Sequence, residues 1–129
     1  MVAEESTGSE LSGRRVLVVE DEFFIADDLV RALRVAGAEV LGPVQNLERA
    51  LTIISNEAEL DAAVLDISLG RDMSYAIADR LLQLGMPFVI ATGYARDSLP
   101  SRFQHVPYWE KPYDPRALAS SLPGVMLRR

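Results

Sequence analysis

The chain predicts an α/β fold, a doubly wound and mostly parallel sheet of five strands with helices on both faces. Three observations carry that expectation. Short apolar runs alternate with longer stretches of helical spacing. The runs are continuous, as in strands buried on both faces. Glycine, asparagine and an Asp-Pro pair stand where helices must start or stop. Because crossovers between parallel strands are right-handed and both sheet faces need covering, this alternation leaves few other architectures.

In chain order, residues 1–13 are polar, rich in Glu, Ser, Thr and Gly, follow neither apolar period, and read as a flexible acidic tail. The first buried strand is Val16-Leu17-Val18-Val19. Ile25, Leu29, Ala32, Leu33 and Ala36 then share one helix face, and Gly37 supplies a left-handed stop. A weaker run, Glu39-Val40-Leu41, makes the second strand. Asn46 is the expected N-cap of a helix whose stripe is Leu47, Ala50, Leu51 and Ile54. After the third strand, Ala62-Ala63-Val64-Leu65, comes the stripe Ile77, Leu81 and Leu84, ending at Gly85. Phe88-Val89-Ile90-Ala91 is the fourth strand. Between Gly93 and Gln104, Pro100 interrupts a stretch already too short for a normal helix, so a fourth helix is expected to be short or irregular. Val106-Pro107-Tyr108-Trp109 is the fifth strand, and Asp114-Pro115 opens the last helix with a cap and a proline at its first position. The folded unit is expected to span 14–122, with 123–129 as a C-terminal tail.

Composition narrows the function classes. A chain of 129 residues, 49% hydrophobic and 25% charged, can bury one ordinary core and has no room for a second domain of normal size. A formal net charge of -6 argues against a nucleic-acid or anionic-membrane footprint. The absence of cysteine excludes disulfides and thiolate metal sites. The N-terminus is acidic where a signal peptide is basic, and no apolar stretch approaches the roughly 18 residues of a membrane span. A cytoplasmic protein is the expectation.

In open parallel sheets, ligands collect beyond the carboxyl ends of the strands. Here the first run ends in Glu20-Asp21, the third in Asp66, the fourth in Thr92-Gly93 and the fifth in Glu110-Lys111-Pro112. Those ends share one edge of the sheet, so three carboxylates, a hydroxyl and an ammonium converge. Two carboxylates about 4.5 Å apart repel by roughly 3–4 kcal/mol at an effective dielectric near 20. Lys111 offsets part of that. Hard oxygen ligands with open positions also suit Mg²⁺, which one or two carboxylates and phosphate oxygens typically hold.

The acidic pair in Val-Val-Glu20-Asp21-Glu, the aspartate in Ala-Val-Leu-Asp66-Ile, the Ala-Thr92-Gly and the Tyr108-Trp-Glu-Lys111-Pro112 together resemble the receiver domains of two-component response regulators. The resemblance covers about residues 14–122. It implies the flavodoxin-like strand order 2-1-3-4-5, and a phosphoacceptor switch that takes a phosphoryl group from a histidine kinase or histidine phosphotransfer protein. Asp66 would be the nucleophile, forming an acyl phosphate. Glu20, Asp21, Asp66 and the Ser68 backbone carbonyl would hold Mg²⁺, with Glu20 acting directly or through water. Thr92 and Lys111 would bind the phosphoryl oxygens, a cis peptide would join Lys111 to Pro112, and Thr92 with Tyr108 would form the switch. The string Pro87-Phe88-Val89-Ile90-Ala91-Thr92-Gly93-Tyr94 also resembles the subgroup with a Phe-Ala-Thr-Gly-x-Tyr signature, although Ile90 replaces its Phe and no residue separates Gly93 from Tyr94. After Asp66, the family's Pro and Asp-Gly turn is replaced by Ser68-Leu69-Gly70-Arg71-Asp72.

Plainer readings exist for each residue. Glu20, Asp21 and Glu22 alone would favour a helix N-terminus by a few tenths to about 1 kcal/mol. Thr92-Gly93 alone is a turn, Tyr108 alone is packing, and His105 reads as a surface residue. Two other function classes stay open. One is a receiver-fold protein-binding module that is not phosphorylated. The other is an aspartate-nucleophile phosphohydrolase, disfavoured because Ser68 stands where such enzymes carry a second acid. The expected protein is no enzyme beyond its own phosphorylation and dephosphorylation. No output domain is expected after Leu122-Pro123, so signalling would run through protein contact, or the chain would act as a phosphate sink.

Overall fold

The computed structural model describes residues 10–56, 59–69 and 72–127. Five strands, β1 (Arg15–Val19), β2 (Glu39–Val44), β3 (Ala62–Leu65), β4 (Phe88–Thr92) and β5 (Tyr108–Glu110), form one parallel sheet in the order β2-β1-β3-β4-β5. Helices α1 (Phe23–Val35), α2 (Leu47–Asn56), α3 (Tyr75–Leu84) and α4 (Pro115–Leu127) cover it, in the α/β architecture and order expected. β1, β3 and β4 are the central strands, and all residues of β3 and β4 are buried. Alternate side chains enter two separate cores. Leu17, Val19, Leu65 and Ile90 meet α2 and α3 on one face, whereas Val16, Val18, Val64 and Val89 meet α1 and α4 on the other.

The capping chemistry acts where it was expected. The Arg49 amide donates to Asn46 Oδ1 at 2.8 Å, the Arg116 amide to Asp114 Oδ1 at 3.0 Å, and Gly85 takes the left-handed conformation that ends α3. On α1 the buried stripe is Ala26, Leu29, Val30 and Leu33, with Ile25 and Ala32 only half-buried. The helix is thus rolled slightly from the expected face. On α3, Ile77, Ala78 and Leu81 are buried, while Leu84, in the last turn, is 43% exposed. β5 begins at Tyr108, two residues later than expected. Pro107 has no N–H for a ladder, and its carbonyl accepts from the Ile90 amide instead.

The segment between β4 and β5 holds two short 3₁₀ turns, Arg96–Ser98 and Ser101–Phe103, on either side of Pro100. It is pinned by Leu99 and by a fully buried Phe103 stacked on Tyr75. Arg102 adds an ion pair to Asp79 on α3, and Gln104 bonds back to the Arg96 and Leu99 carbonyls. An antiparallel pairing of Ser68–Leu69 with Asp72–Met73, which the sequence did not suggest, follows β3.

Both expected tail boundaries need correction. Of the tail expected at 1–13, residues 1–9 lie outside the described residues, but Glu10–Gly13 form a turn in which Leu11 is fully buried among Leu33, Ala36 and Leu122. Its amide donates to the Ala36 carbonyl at 2.8 Å. At the other end α4 passes through Pro123 and reaches Leu127, where a tail from 123 was expected. Leu118, Ala119 and Leu122 are buried before the proline, and Val125 and Met126 pack against the same core after it. That packing outweighs one lost donor. At the β2 edge, Gly42 sits at φ +108°, and a Cβ there would lie 2.6 Å from the Val18 carbonyl oxygen, so only glycine fits.

Burial of Leu11 gives a direct check on the boundary. Leu11→Ala is expected to lower the free energy of urea unfolding by about 2–4 kcal/mol, as for core leucines, where a tail residue would change it by less than about 0.5 kcal/mol.

Candidate functional site

β1, β3, β4 and β5 all end at the same edge of the sheet, and each delivers the residue that follows or closes it. Asp66 is held from several directions. Its amide donates to the Val19 carbonyl at 3.0 Å, its Oδ1 accepts from the Ser68 amide at 3.1 Å, and its carbonyl accepts from the Ser74 hydroxyl at 2.6 Å. Ser74 is fully buried before α3, and its amide also donates to the Ile67 carbonyl. The sequence reading missed this residue, whose hydroxyl bonds the backbone of Asp66 instead of capping its own helix.

Glu20, Asp21 and Asp66 each offer a carboxylate oxygen within 4.8 Å of the other two. Glu20 and Asp66 are each 3% exposed, and Asp21 is half-buried. Lys111 lies among them, its Nζ 2.9 Å from Glu20 Oε1, 2.8 Å from Asp66 Oδ2 and 2.7 Å from Glu22 Oε1. The Lys111–Pro112 peptide is cis. Lys111 is also the one lysine in the sequence, every other basic side chain of the Lys/Arg type being arginine. A compact ammonium turns its three donors about the end of a flexible stem toward three carboxylates, whereas a guanidinium holds its donors in one plane.

Thr92 closes β4 fully buried, and its carbonyl accepts from the Lys111 amide at 2.8 Å, so the ends of β4 and β5 are tied together. An open pocket of about 350 Å³ lies over the group, lined by Asp21, Glu22, Asp66 and Lys111 together with Ser68, Thr92, Gly93 and Tyr94. Glu20, Asp21, Asp66, Ser68, Thr92 and Lys111 therefore lie together at this edge, whereas Tyr108 stands at the start of β5. Glu22 was read only as a favourable charge at a helix start, and its contact with Lys111 was missed. Tyr108 is half-buried, its hydroxyl donates to the Tyr94 carbonyl, and the Arg96 guanidinium lies 5.6 Å from its ring centre. His105 is exposed, as expected. Phe23 and Phe24, 67% and 79% exposed in an edge-to-face pair just after the acids, also escaped the sequence reading.

Charge at the site is unbalanced. Glu20, Asp21, Glu22 and Asp66 face one ammonium. Burial raises the Glu20 carboxyl to about 7; the Glu22 amide and Lys111 oppose the rise, and the Asp66 charge adds to it. Burial, the largest single effect, lowers the Lys111 ammonium, but the bonds to Asp66, Glu22 and Glu20 together raise it well above the usual lysine range. Hard oxygen donors, excess negative charge and an open pocket fit a divalent cation of the Mg²⁺ class, which tolerates water in its remaining positions.

Comparisons with known proteins agree with this geometry. The solution structure of SdrG from Sphingomonas melonis Fr1 is 36% identical, covers 88% of this chain and 96% of that one, and has a TM-score of 0.76. The BeF₃-activated conformation of SdrG from Pseudomonas melonis Fr1 is 35% identical over 87% of this chain and 95% of that one, with a TM-score of 0.71. A CheY-like response regulator receiver domain protein from Methanospirillum hungatei JF-1 is 26% identical over 89% of this chain and 94% of that one, with a TM-score of 0.74. Among curated proteins, the uncharacterized transcriptional regulatory protein YbdJ of Bacillus subtilis is 27% identical over 84% of this chain. The chain spans about half the length of that relative, 48%. No family model matches the chain. Among the described residues, no helix is long and apolar enough to cross a membrane.

The raised Glu20 has a consequence for stability. An acid that binds its proton more tightly folded than unfolded costs stability as the pH rises from its ordinary 4.5 through about 7. Glu20→Gln, which cannot ionise, is therefore expected to match the wild type near pH 5 in metal-free buffer and to exceed it by on the order of 1–3 kcal/mol at pH 8. Urea denaturation across that range checks both the sign and the window.

Proposed function

As the chain belongs to the response-regulator receiver family, with its part in two-component signalling, we propose that it is a phosphoacceptor switch in which Asp66 takes a phosphoryl group from a histidine kinase or histidine phosphotransfer protein. The observation that carries this reading is Lys111 bonded to Asp66 at 2.8 Å inside a pocket that three further acids make strongly negative. Such a pocket suits an attacking carboxylate paired with cationic charge.

In the proposed transfer, an Asp66 carboxylate oxygen attacks phosphorus in line. A new P–O bond forms as the P–N bond to the donor's imidazole breaks, and the bonding pair stays on that nitrogen. Little covalent work is asked of the protein, so positioning and charge neutralisation supply the catalysis. Asp66 is aimed by the Ser68 amide and by Ser74 behind it. Lys111 and the Thr92 hydroxyl receive the phosphoryl oxygens. Glu20, Asp21, Asp66 and the Ser68 carbonyl would hold Mg²⁺, which when bound would neutralise charge developing on those oxygens. Phe23 and Phe24, exposed directly after Glu22 in the chain, would give a protein donor an apolar foothold.

The signal would leave through Tyr108. If Thr92 is drawn toward the phosphoryl group, the Tyr94 carbonyl that accepts the Tyr108 hydroxyl bond moves with the same loop, and the aromatic ring is free to turn inward. The output is protein contact, or the chain serves as a phosphate sink. A cytoplasmic location and the absence of any enzyme activity beyond its own phosphorylation and dephosphorylation go with this reading.

Radiolabelled transfer in the presence of Mg²⁺ is expected to leave one acyl phosphate per chain, none without Mg²⁺, and none on Asp66→Asn. Lys111→Ala should slow labelling about 10²-fold, the usual cost of one charge-stabilising donor. Continuous release of phosphate over many cycles per minute would instead make the protein a hydrolase, and an unlabelled wild type would leave it a binding module.

A further inference from the structure

From the contacts of Lys111, and resting on the phosphoacceptor reading above, we infer that Glu22 is a placeholder for the phosphoryl group, a positioning residue that holds the third proton of the ammonium at rest and yields it on phosphorylation. An ammonium has three donors and no acceptor. Here the three acceptors are Glu20, Glu22 and Asp66, at 2.9, 2.7 and 2.8 Å. With both oxygens of Glu20 counted, four carboxylate oxygens crowd the three ammonium protons, all within 3.0 Å of Nζ, so a phosphoryl oxygen arriving on Asp66 competes with them for Lys111.

The three are not equally free to leave. Glu20 is sequestered, with its Oε2 also accepting from the Glu22 amide at 3.0 Å. Asp66 carries the incoming group. Glu22 is the exception, since its side chain is 57% exposed and can swing into water without exposing core. Its position strengthens the case. Glu22 occupies the N-cap of α1, where a shorter side chain would satisfy a helix amide, yet it makes no capping bond. Its carboxylate reaches Lys111 across the mouth of the pocket instead.

Two effects follow. At rest, Glu22 neutralises charge on Lys111 and so weakens attraction for an anionic donor. After transfer, a phosphoryl group carrying about -1.5 to -2 charge repels the displaced carboxylate. Glu22 therefore slows phosphorylation and limits occupancy, most of all for highly charged donors.

The test compares wild type and Glu22→Gln with two small phosphodonors in Mg²⁺, the more highly charged acetyl phosphate and the less charged phosphoramidate. With acetyl phosphate below saturation, the variant is expected to be phosphorylated about 2- to 5-fold faster, the scale of an exposed ion pair, mostly through a lower half-saturating concentration. With phosphoramidate the gain should be smaller, which a merely structural change would not produce. Because Lys111 is the one lysine, ¹⁵N-lysine labelling gives one side-chain ammonium resonance. It should differ between wild type and variant at rest and coincide once both hold Mg²⁺ and beryllofluoride. A variant phosphorylated at an equal or lower rate, or resonances that differ equally in both states, overturns the placeholder role while leaving Asp66 as phosphoacceptor. A wild type that takes phosphate from neither donor overturns both readings.

Discussion

The arrangement of this molecule turns on one electrostatic constraint, the gathering of four carboxylates around a single ammonium at one edge of a sheet. Lys111 bonds three of them directly, and the fourth, Asp21, shares the cluster with Glu20 and Asp66. In water such a group would disperse. The fold prevents that because Glu20, Asp66 and Thr92 are buried and each follows or closes a strand of one rigid sheet. The carboxyl of Glu20, pushed up to about 7 by burial, records the cost. Excess negative charge on hard oxygen donors fits a divalent cation, which would offset the repulsion among them.

Neighbouring structure keeps the strain local. Ser74 joins the backbone of Asp66 to the start of α3, and the antiparallel pairing of Ser68–Leu69 with Asp72–Met73 lies between them. On the far side, Phe103, Leu99 and the Arg102–Asp79 pair hold a segment with no α-helix of its own. The site thus has one firm wall, from β3 into α3, and one wall joined through Tyr94 and Tyr108 to the edge strand β5. Conformational change is easier in the second wall, since β5 is only three residues long and half-exposed for most of its length.

Glu22, the N-cap of α1, is followed directly by the aromatic pair Phe23 and Phe24 in the first turn of that helix. Glu22 reaches the pocket through its bond to Lys111, and the two rings next to it in the chain are exposed.

Much was legible from the sequence alone. Short continuous apolar runs such as Ala62–Leu65 and Phe88–Ala91, alternating with stretches of helical spacing, suit strands buried on both faces, and the acids and the lysine that follow such runs are brought to one edge by parallel topology. Asn46, Gly85 and Asp114 announced their turns because capping is a local interaction. Tertiary packing alone decided the rest. Leu11 lies in a polar segment with no periodicity, and it is buried because α1 and α4 leave a gap that it fills. Pro123 reads as a helix breaker, yet the contacts of Val125 and Met126 carry α4 beyond it. Ser74 and Glu22 are ordinary polar residues in sequence, and their roles come from partners eight and 89 positions away. Local signals are written in neighbouring residues, whereas a contact between distant positions exists only once the chain has closed on itself.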